Sequence, residues 1–295
     1  MIDKEDILQI KDLVSKIKDT LLKKNEDTNI DIIDLDKFNN LDEDFVFIDS
    51  SHASGIVGPI SYVYLRAVAI SRNKETTLKD YIIFPDIFID VFEKKEIKSL
   101  EISDLASVFS KNLEYRLAWE SKERYKIIDG SLVSDFVLFQ KIIGSPIEEI
   151  NGRIQSYREN FYNSDKIKLI SIAKRILHSK LFKSQKPDFI ILLNKYPFET
   201  FCTKVIYKDL DERKIKACYI RARKYEHIYR IESWNNMEDE EFYSIIKTIF
   251  YEKAYPYLLK MAHNLCKIKN KEKNLIEEII KRELGIDKSV GWETK

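Results

Sequence analysis

The chain has 295 residues, 44% of them hydrophobic and 34% charged, and its formal net charge is only +1. That length suits one large domain or two small ones around a buried core, and a balance so close to neutral leaves any DNA site to local clustering of charge. Cys202, Cys218 and Cys266 show no CxxC spacing, no secretory signal is evident, and apolar runs such as Phe189 to Leu193 are far too short for a bilayer. A reduced, cytoplasmic protein with no membrane association is expected. None of the seven glycines sits in a GxxxxGK[ST] arrangement, so an ATP-driven motor would have to be a separate protein.

In chain order, Ile7, Ile10, Leu13, Ile17 and Leu21 recur at helical spacing and predict an amphipathic helix within residues 1–30, ahead of the core. Its apolar stripe suits docking or dimerisation. Phe45 to Ile48 predicts a buried strand ending in the polar turn Asp49-Ser50-Ser51. Ile60 to Ile70 and Tyr81 to Phe84 predict two more strands. Ser103 to Glu120 predicts a helix capped by Ser103, with Leu105, Phe109, Leu113 and Leu117 as its core stripe. Tyr125 to Ile128 predicts a short strand running into Asp129-Gly130-Ser131. Residues 145 to 163 read as helix and loop. Lys168 to Ala173, Asp188 to Leu193, Cys218 to Arg221 and Ile228 to Ile231 read as strands, the last two paired. Helices follow at Glu238 to Lys253 and Leu258 to Lys269, split by Pro256, and at Glu272 to Leu284. With no repeat and no low-complexity linker, one domain with insertions is the simplest account.

Two predicted strands thus end in aspartate followed by small polar residues, at Asp49 and at Asp129. A carboxylate at the end of a buried strand needs compensation, from the N–H groups of an Asx-turn or from a cation. If the two strands are neighbours, their carboxylates converge, and the uncompensated charge favours a divalent cation. The helix between them offers a third. At about 100° per residue Glu114 falls on the flank of the stripe, between core and solvent, whereas Glu120 projects near the stripe centre and is the reserve choice. Strand–Asp, helix–Glu, strand–Asp is the ligand order of RNase H-like nucleases, whose hard oxygen ligands suit Mg²⁺ or Mn²⁺ and phosphodiester hydrolysis.

Four segments resemble the NurA nuclease family. Phe47-Ile48-Asp49-Ser50-Ser51 is similar to its first motif, with serine where Asp-Gly-Ser is usual. Asn112 to Ala118 resembles the glutamate helix, and Ile127-Ile128-Asp129-Gly130-Ser131-Leu132 the second Asp-Gly-Ser-Leu motif. Ala254 to His263 resembles the C-terminal Tyr-Pro…Ala-His motif. The resemblance implies an α/β fold with an RNase H-like mixed sheet flanked by helices. Residues 44–265 would form the nuclease domain, with helical additions at 1–30 and 266–295. It further implies a manganese-supported, metal-dependent DNA nuclease, with Mg²⁺ possible. Such an enzyme cuts single strands endonucleolytically and 5′–3′ exonucleolytically, and resects DNA ends as a homodimer with a HerA-like hexameric ATPase. Asp49, Glu114 and Asp129 would be metal ligands, and His263 and Tyr255 would complete or support the site. Lys174 matches a lysine often found in the family and could meet the scissile phosphate; a surface lysine reads the same.

Among the remaining residues, Arg221, Arg223 and Lys224, with Tyr219 and Tyr225 interleaved, form the best basic-aromatic cluster, suited to phosphate contacts and base stacking or to a solvated strand edge. With Leu258, Ala262 and Leu265 as the buried stripe of its helix, His263 points to solvent or to a cleft. His263 and Cys266 lack the second Cys/His pair that structural zinc needs. His52 follows the first motif closely, and His178 and His227 carry no signal. Competing readings are another RNase H-like enzyme, such as a Holliday-junction resolvase, and a catalytically silent DNA-binding or assembly subunit of a ring translocase.

Overall fold

The computed structural model describes residues 29–85, 102–141, 148–176, 179–250 and 254–286. The amphipathic helix expected at Ile7 to Leu21 lies outside them, as does His178. The described residues fall into two compact units, one from 42–172, 233–238 and 255–286, the other from 29–41, 173–232 and 239–254.

In chain order the elements are β1 (Phe45–Val57), β2 (Ile60–Ser71), β3 (Glu75–Pro85), α1 (Ile102–Glu120), β4 (Tyr125–Asp129), α2 (Leu132–Lys141), α3 (Glu148–Asn163), β5 (Lys168–Ala173), α4 (Asp188–Lys195), β6 (Phe201–Cys202), β7 (Ile206–Leu210), β8 (Arg213–Arg221), β9 (Tyr229–Trp234), α5 (Asp239–Phe250), α6 (Tyr257–Cys266) and α7 (Asn270–Glu283). None of the described helices is long and apolar enough to cross a membrane.

The first unit is built on the order β3-β2-β1-β4-β5. β1 to β3 form an antiparallel meander, and β4 and β5 add in parallel. This is the mixed sheet flanked by helices that the family resemblance implies. The centre of the sheet is buried on both faces, which is why Ile48, Ile127, Ile128, Leu169 and Ile170 form near-continuous apolar runs. α1 packs on β1 and β2 and also against α3, while α6 packs on the same two strands. Between α1 and α3 lies an aromatic layer in which Tyr115 meets Phe161 edge-on at 5.5 Å and Phe161 meets Trp234 at 5.4 Å. Its polar tips are satisfied: the Tyr115 hydroxyl donates to Asp135 at 2.7 Å and the Trp234 indole N–H to Ser164 at 2.7 Å.

Several local expectations change. β1 does not stop at Asp49; it runs on to Val57, because β2 pairs with it from Val46 to Val57, while the parallel pairing with β4 reaches only as far as Ile48. Ser103 lies inside the first turn of α1 rather than capping it. α2, unforeseen, begins just after Ser131, whose Oγ accepts the Ser134 N–H at 3.1 Å. The segment from Asp188, expected as a strand, is helix α4. A short apolar run does not reveal its period; here Pro187 starts the helix and Asp188, Ile191 and Leu192 form its buried face.

In the second unit β8 is central, with β9 on one side and β6 and β7 antiparallel on the other. Buried Asp188 accepts the Tyr219 hydroxyl at 2.5 Å and the Phe182 N–H at 3.1 Å. Buried Arg230 is paired with Glu232. Cys202, Cys218 and Cys266 are buried free thiols.

Candidate metal centre

Strand alternation and one loop assemble the site. Successive residues of β1 point to opposite faces of the sheet. Asp49 shares the face on which Ala262 and Cys266 of α6 pack against Val68 and Ile70 of β2. Ser50 shares the face covered by α1, where its Oγ meets Ser110 Oγ at 2.7 Å and donates to Glu114 Oε1 at 2.5 Å. Beside them β4 ends at Asp129. Gly130 takes φ +138°, a conformation that suits only glycine, and donates its N–H to Ile172 at 3.1 Å. Ser131 then caps α2. Within the Asp129-Gly130-Ser131 triplet, the first residue places a carboxylate at the strand end, the second makes the turn, and the third caps the helix.

From the other side α6 supplies His263. Pro256 sets its entry, and Leu259, Ala262 and Cys266 form the buried stripe rather than Leu258, Ala262 and Leu265. Leu265 is exposed. His263 remains off that stripe, half exposed, with Nδ1 2.7 Å from Asp49 Oδ2. The other Asp49 oxygen accepts the Ser50 N–H at 2.8 Å. Ser51 Oγ, also bonded to the carbonyl of Cys266, ties the end of α6 to β1.

Asp49, Asp129 and His263 each offer one ligand atom, and these atoms all lie within 4.8 Å of one another. Two hard carboxylate oxygens and one imidazole nitrogen fit a divalent cation of the Mn²⁺ or Mg²⁺ kind, and the nitrogen tilts the choice toward Mn²⁺. Electrostatics agree. Burial raises the pKa of Asp49, and Asp129 raises it further; Lys111, His263 and the Ser50 N–H pull it down without cancelling the rise. Glu114 is likewise raised, by burial first and then by Asp49. A carboxyl group with a raised folded-state pKa stabilises the fold while protonated and loses that contribution as pH climbs through the raised value. The contribution of these two carboxyls to the stability of the metal-free protein in EDTA should therefore fall as pH rises above the ordinary carboxylate range of about 4. Asp49→Asn should flatten part of that slope, as should added Mn²⁺. Thermal melts across pH check this, and a variant with the wild-type slope would remove Asp49 from the cause.

Glu114 is not on a solvent border: α1 is buried on its sheet side and its α3 side together, and Glu114 is only 1% exposed. Its carboxylate is held by Ser50 and by Lys111 Nζ at 2.6 Å. Glu120, the reserve choice, is exposed, pairs with Arg116 at 2.7 Å, and lines a cleft with Val46 and Ser71, away from Asp49. Tyr255 is half-buried just before α6. Lys174 belongs to the second unit, where its carbonyl accepts the His227 ring N–H at 2.6 Å.

Arg221 is 3% exposed, and its guanidinium donates to the carbonyls of Tyr196, Glu199 and Glu226. It braces a loop instead of facing a phosphate. Tyr219 is buried as well, so the expected interleaved surface reduces to exposed Arg223, Lys224 and Tyr225, the last packed on Phe198 at 5.1 Å. His52 is exposed on β1, opposite Leu65.

Lys111 escaped the sequence reading. Its Nζ donates to Glu114 Oε2 and to the Asp129 carbonyl, both at 2.6 Å. Burial opposes its charge, but Glu114, Asp135 and Asp49 outweigh burial and hold it protonated above the ordinary lysine range. The available signal was its position one turn before Glu114, on the same helix face.

No curated protein sequence matches the chain. The fold resembles the solved NurA nuclease from Sulfolobus solfataricus, with a TM-score of 0.67, 19% identity and full coverage of both chains. It also resembles a NurA structure with manganese (TM-score 0.61, 12% identity, 91% of this chain and 96% of that one). A third, NurA bound to dAMP and manganese, gives a TM-score of 0.60 at 12% identity over 93% and 96%. The NurA domain profile matches residues 43–268, a span that contains Asp49, Asp129 and His263, and the chain belongs to the NurA family.

Proposed function

We propose that this chain is a divalent-metal-dependent deoxyribonuclease that hydrolyses phosphodiester bonds. It would cut single-stranded DNA endonucleolytically and in the 5′–3′ exonucleolytic direction, and resect DNA ends beside a HerA-type hexameric translocase. The carrying observation is the convergence of Asp49, Asp129 and His263 within 4.8 Å. The solved NurA that binds dAMP and manganese supports the same class of ligand and metal.

A divalent cation on these three residues would neutralise phosphate charge and make a water acidic enough to attack. The protein's own groups do the rest. Asp49 Oδ2 meets the His263 ring at Nδ1, 2.7 Å away, and so orients the imidazole beside the two carboxylates. The Ser50 N–H fixes the Asp49 carboxylate from behind. Lys111 brings a permanent positive charge to the end of β4, where it offsets the carboxylates and favours an approaching phosphate.

Digestion of end-labelled single- and double-stranded DNA with Mn²⁺, Mg²⁺ or EDTA tests the reading. Cleavage should require the metal, be supported best by Mn²⁺, and favour single strands. Persistent inactivity with every metal would instead favour a silent assembly subunit. A homodimer is proposed as well, from the apolar spacing of Ile7 to Leu21 in the sequence, and light scattering at micromolar concentration should give twice the chain mass.

A further inference from the structure

The two halves of the site are unequal. On the α6 side, Asp49, Asp129 and His263 face one another as a ligand set. On the α1 side, each oxygen of the Glu114 carboxylate already accepts a hydrogen bond from a neighbouring side chain. Ser50 Oγ donates to Oε1 at 2.5 Å, and Lys111 Nζ donates to Oε2 at 2.6 Å. The same ammonium takes the main-chain oxygen of Asp129, also at 2.6 Å. One carboxylate oxygen and one carbonyl oxygen around a compact positive charge are the kind of donor set a hard cation would use. Gly130 leaves the room for it: a Cβ there would lie 2.6 Å from Lys111 Nζ.

We propose that the Lys111 ammonium occupies the place of a second cation, so that the chain binds a single divalent ion, at Asp49, Asp129 and His263, while Lys111 and Ser50 keep Glu114 out of metal coordination. This rests on the metal-dependent reading above and deepens it. A second dication could reach Glu114 only by displacing a like charge from a partly buried ion pair, which low local polarity makes unfavourable. A serine in place of the usual glycine at position 50 acts the same way, since it supplies the hydroxyl that takes the other oxygen of Glu114.

Calorimetric titration of the EDTA-stripped full chain with MnCl₂, without DNA, tests this independently of catalysis. Wild type should bind one Mn²⁺ per chain, and Glu114→Gln should still bind one. Lys111→Met should bind two, the second through the released Glu114. Lys111→Gln serves as the second variant if Lys111→Met fails to fold, as judged by circular dichroism. Two ions on wild type, or a single ion on both folded Lys111 variants, overturns the proposal. Loss of the one site in Glu114→Gln also overturns it, because Glu114 would then be a ligand. No binding to wild type overturns this proposal and the metal-dependent reading beneath it together, whereas one ion on wild type with two on Lys111→Met supports both.

Discussion

Replacing Asp49 or Asp129 with asparagine is expected to abolish DNA cleavage while leaving the chain folded and its DNA binding unchanged or stronger. Asparagine preserves the shape of each side chain, so the Ser50 N–H still finds an oxygen at position 49 and β4 still ends in its glycine turn. What goes is the negative charge. Two of the three groups in the ligand cluster are these carboxylates, and without either the cation is held by one acid and one imidazole. A loss of at least about a thousandfold in rate, or ~4 kcal/mol of transition-state stabilisation, is the scale expected when metal assistance fails. Binding moves the other way because removing a carboxylate relieves repulsion of the phosphates. Initial rates on labelled single strands, with circular dichroism and anisotropy-based binding beside them, would show it. A folded variant cleaving at the wild-type rate would take the reaction away from this cluster.

His263→Ala comes next in size. The ring lies off the buried stripe of α6, and its side chain is 52% exposed, so its removal leaves no core cavity. Thermal stability should change by no more than about 1 kcal/mol, as for a surface substitution that gives up one hydrogen bond. Metal binding should suffer far more: Mn²⁺ affinity falls roughly 10–100-fold, the scale known even for groups that only support a ligand. Most nuclease activity should go with it, and excess Mn²⁺ should restore part of it. His263→Asn or His263→Gln, which offer weaker donors, should fall between. A large drop in melting temperature with unchanged Mn²⁺ affinity would return His263 to a structural role.

How much of this was legible in the sequence varies with the range of the interaction concerned. The order strand–Asp, helix–Glu, strand–Asp, helix–His was readable because each part rests on local signals: β-branched runs, a 3.6-residue stripe, a glycine after an aspartate, a proline at a helix start. Even there, Phe189 to Leu193 misled, since a five-residue apolar run fits a strand and a helix equally well. Pro187 and the buried hydrogen bonds of Asp188 decide it.

Electrostatic partnership was not readable. Arg221 looked like a phosphate contact because it stands in a run of basic residues, but burial at 3% and three backbone carbonyls claim it. Glu114 looked like a border residue because helical periodicity assumes one buried face, and α1 has two. The amino-acid sequence by itself determined which chemistry-bearing residues exist, their order, and the local turns and helices that carry them. Only the tertiary structure decided which of them meet. His263 reaches Asp49 across 214 positions, and Lys111 reaches the Asp129 carbonyl across 18. The physical reason is that charge pairing depends on distance and burial, and both are set by packing between elements remote in the chain.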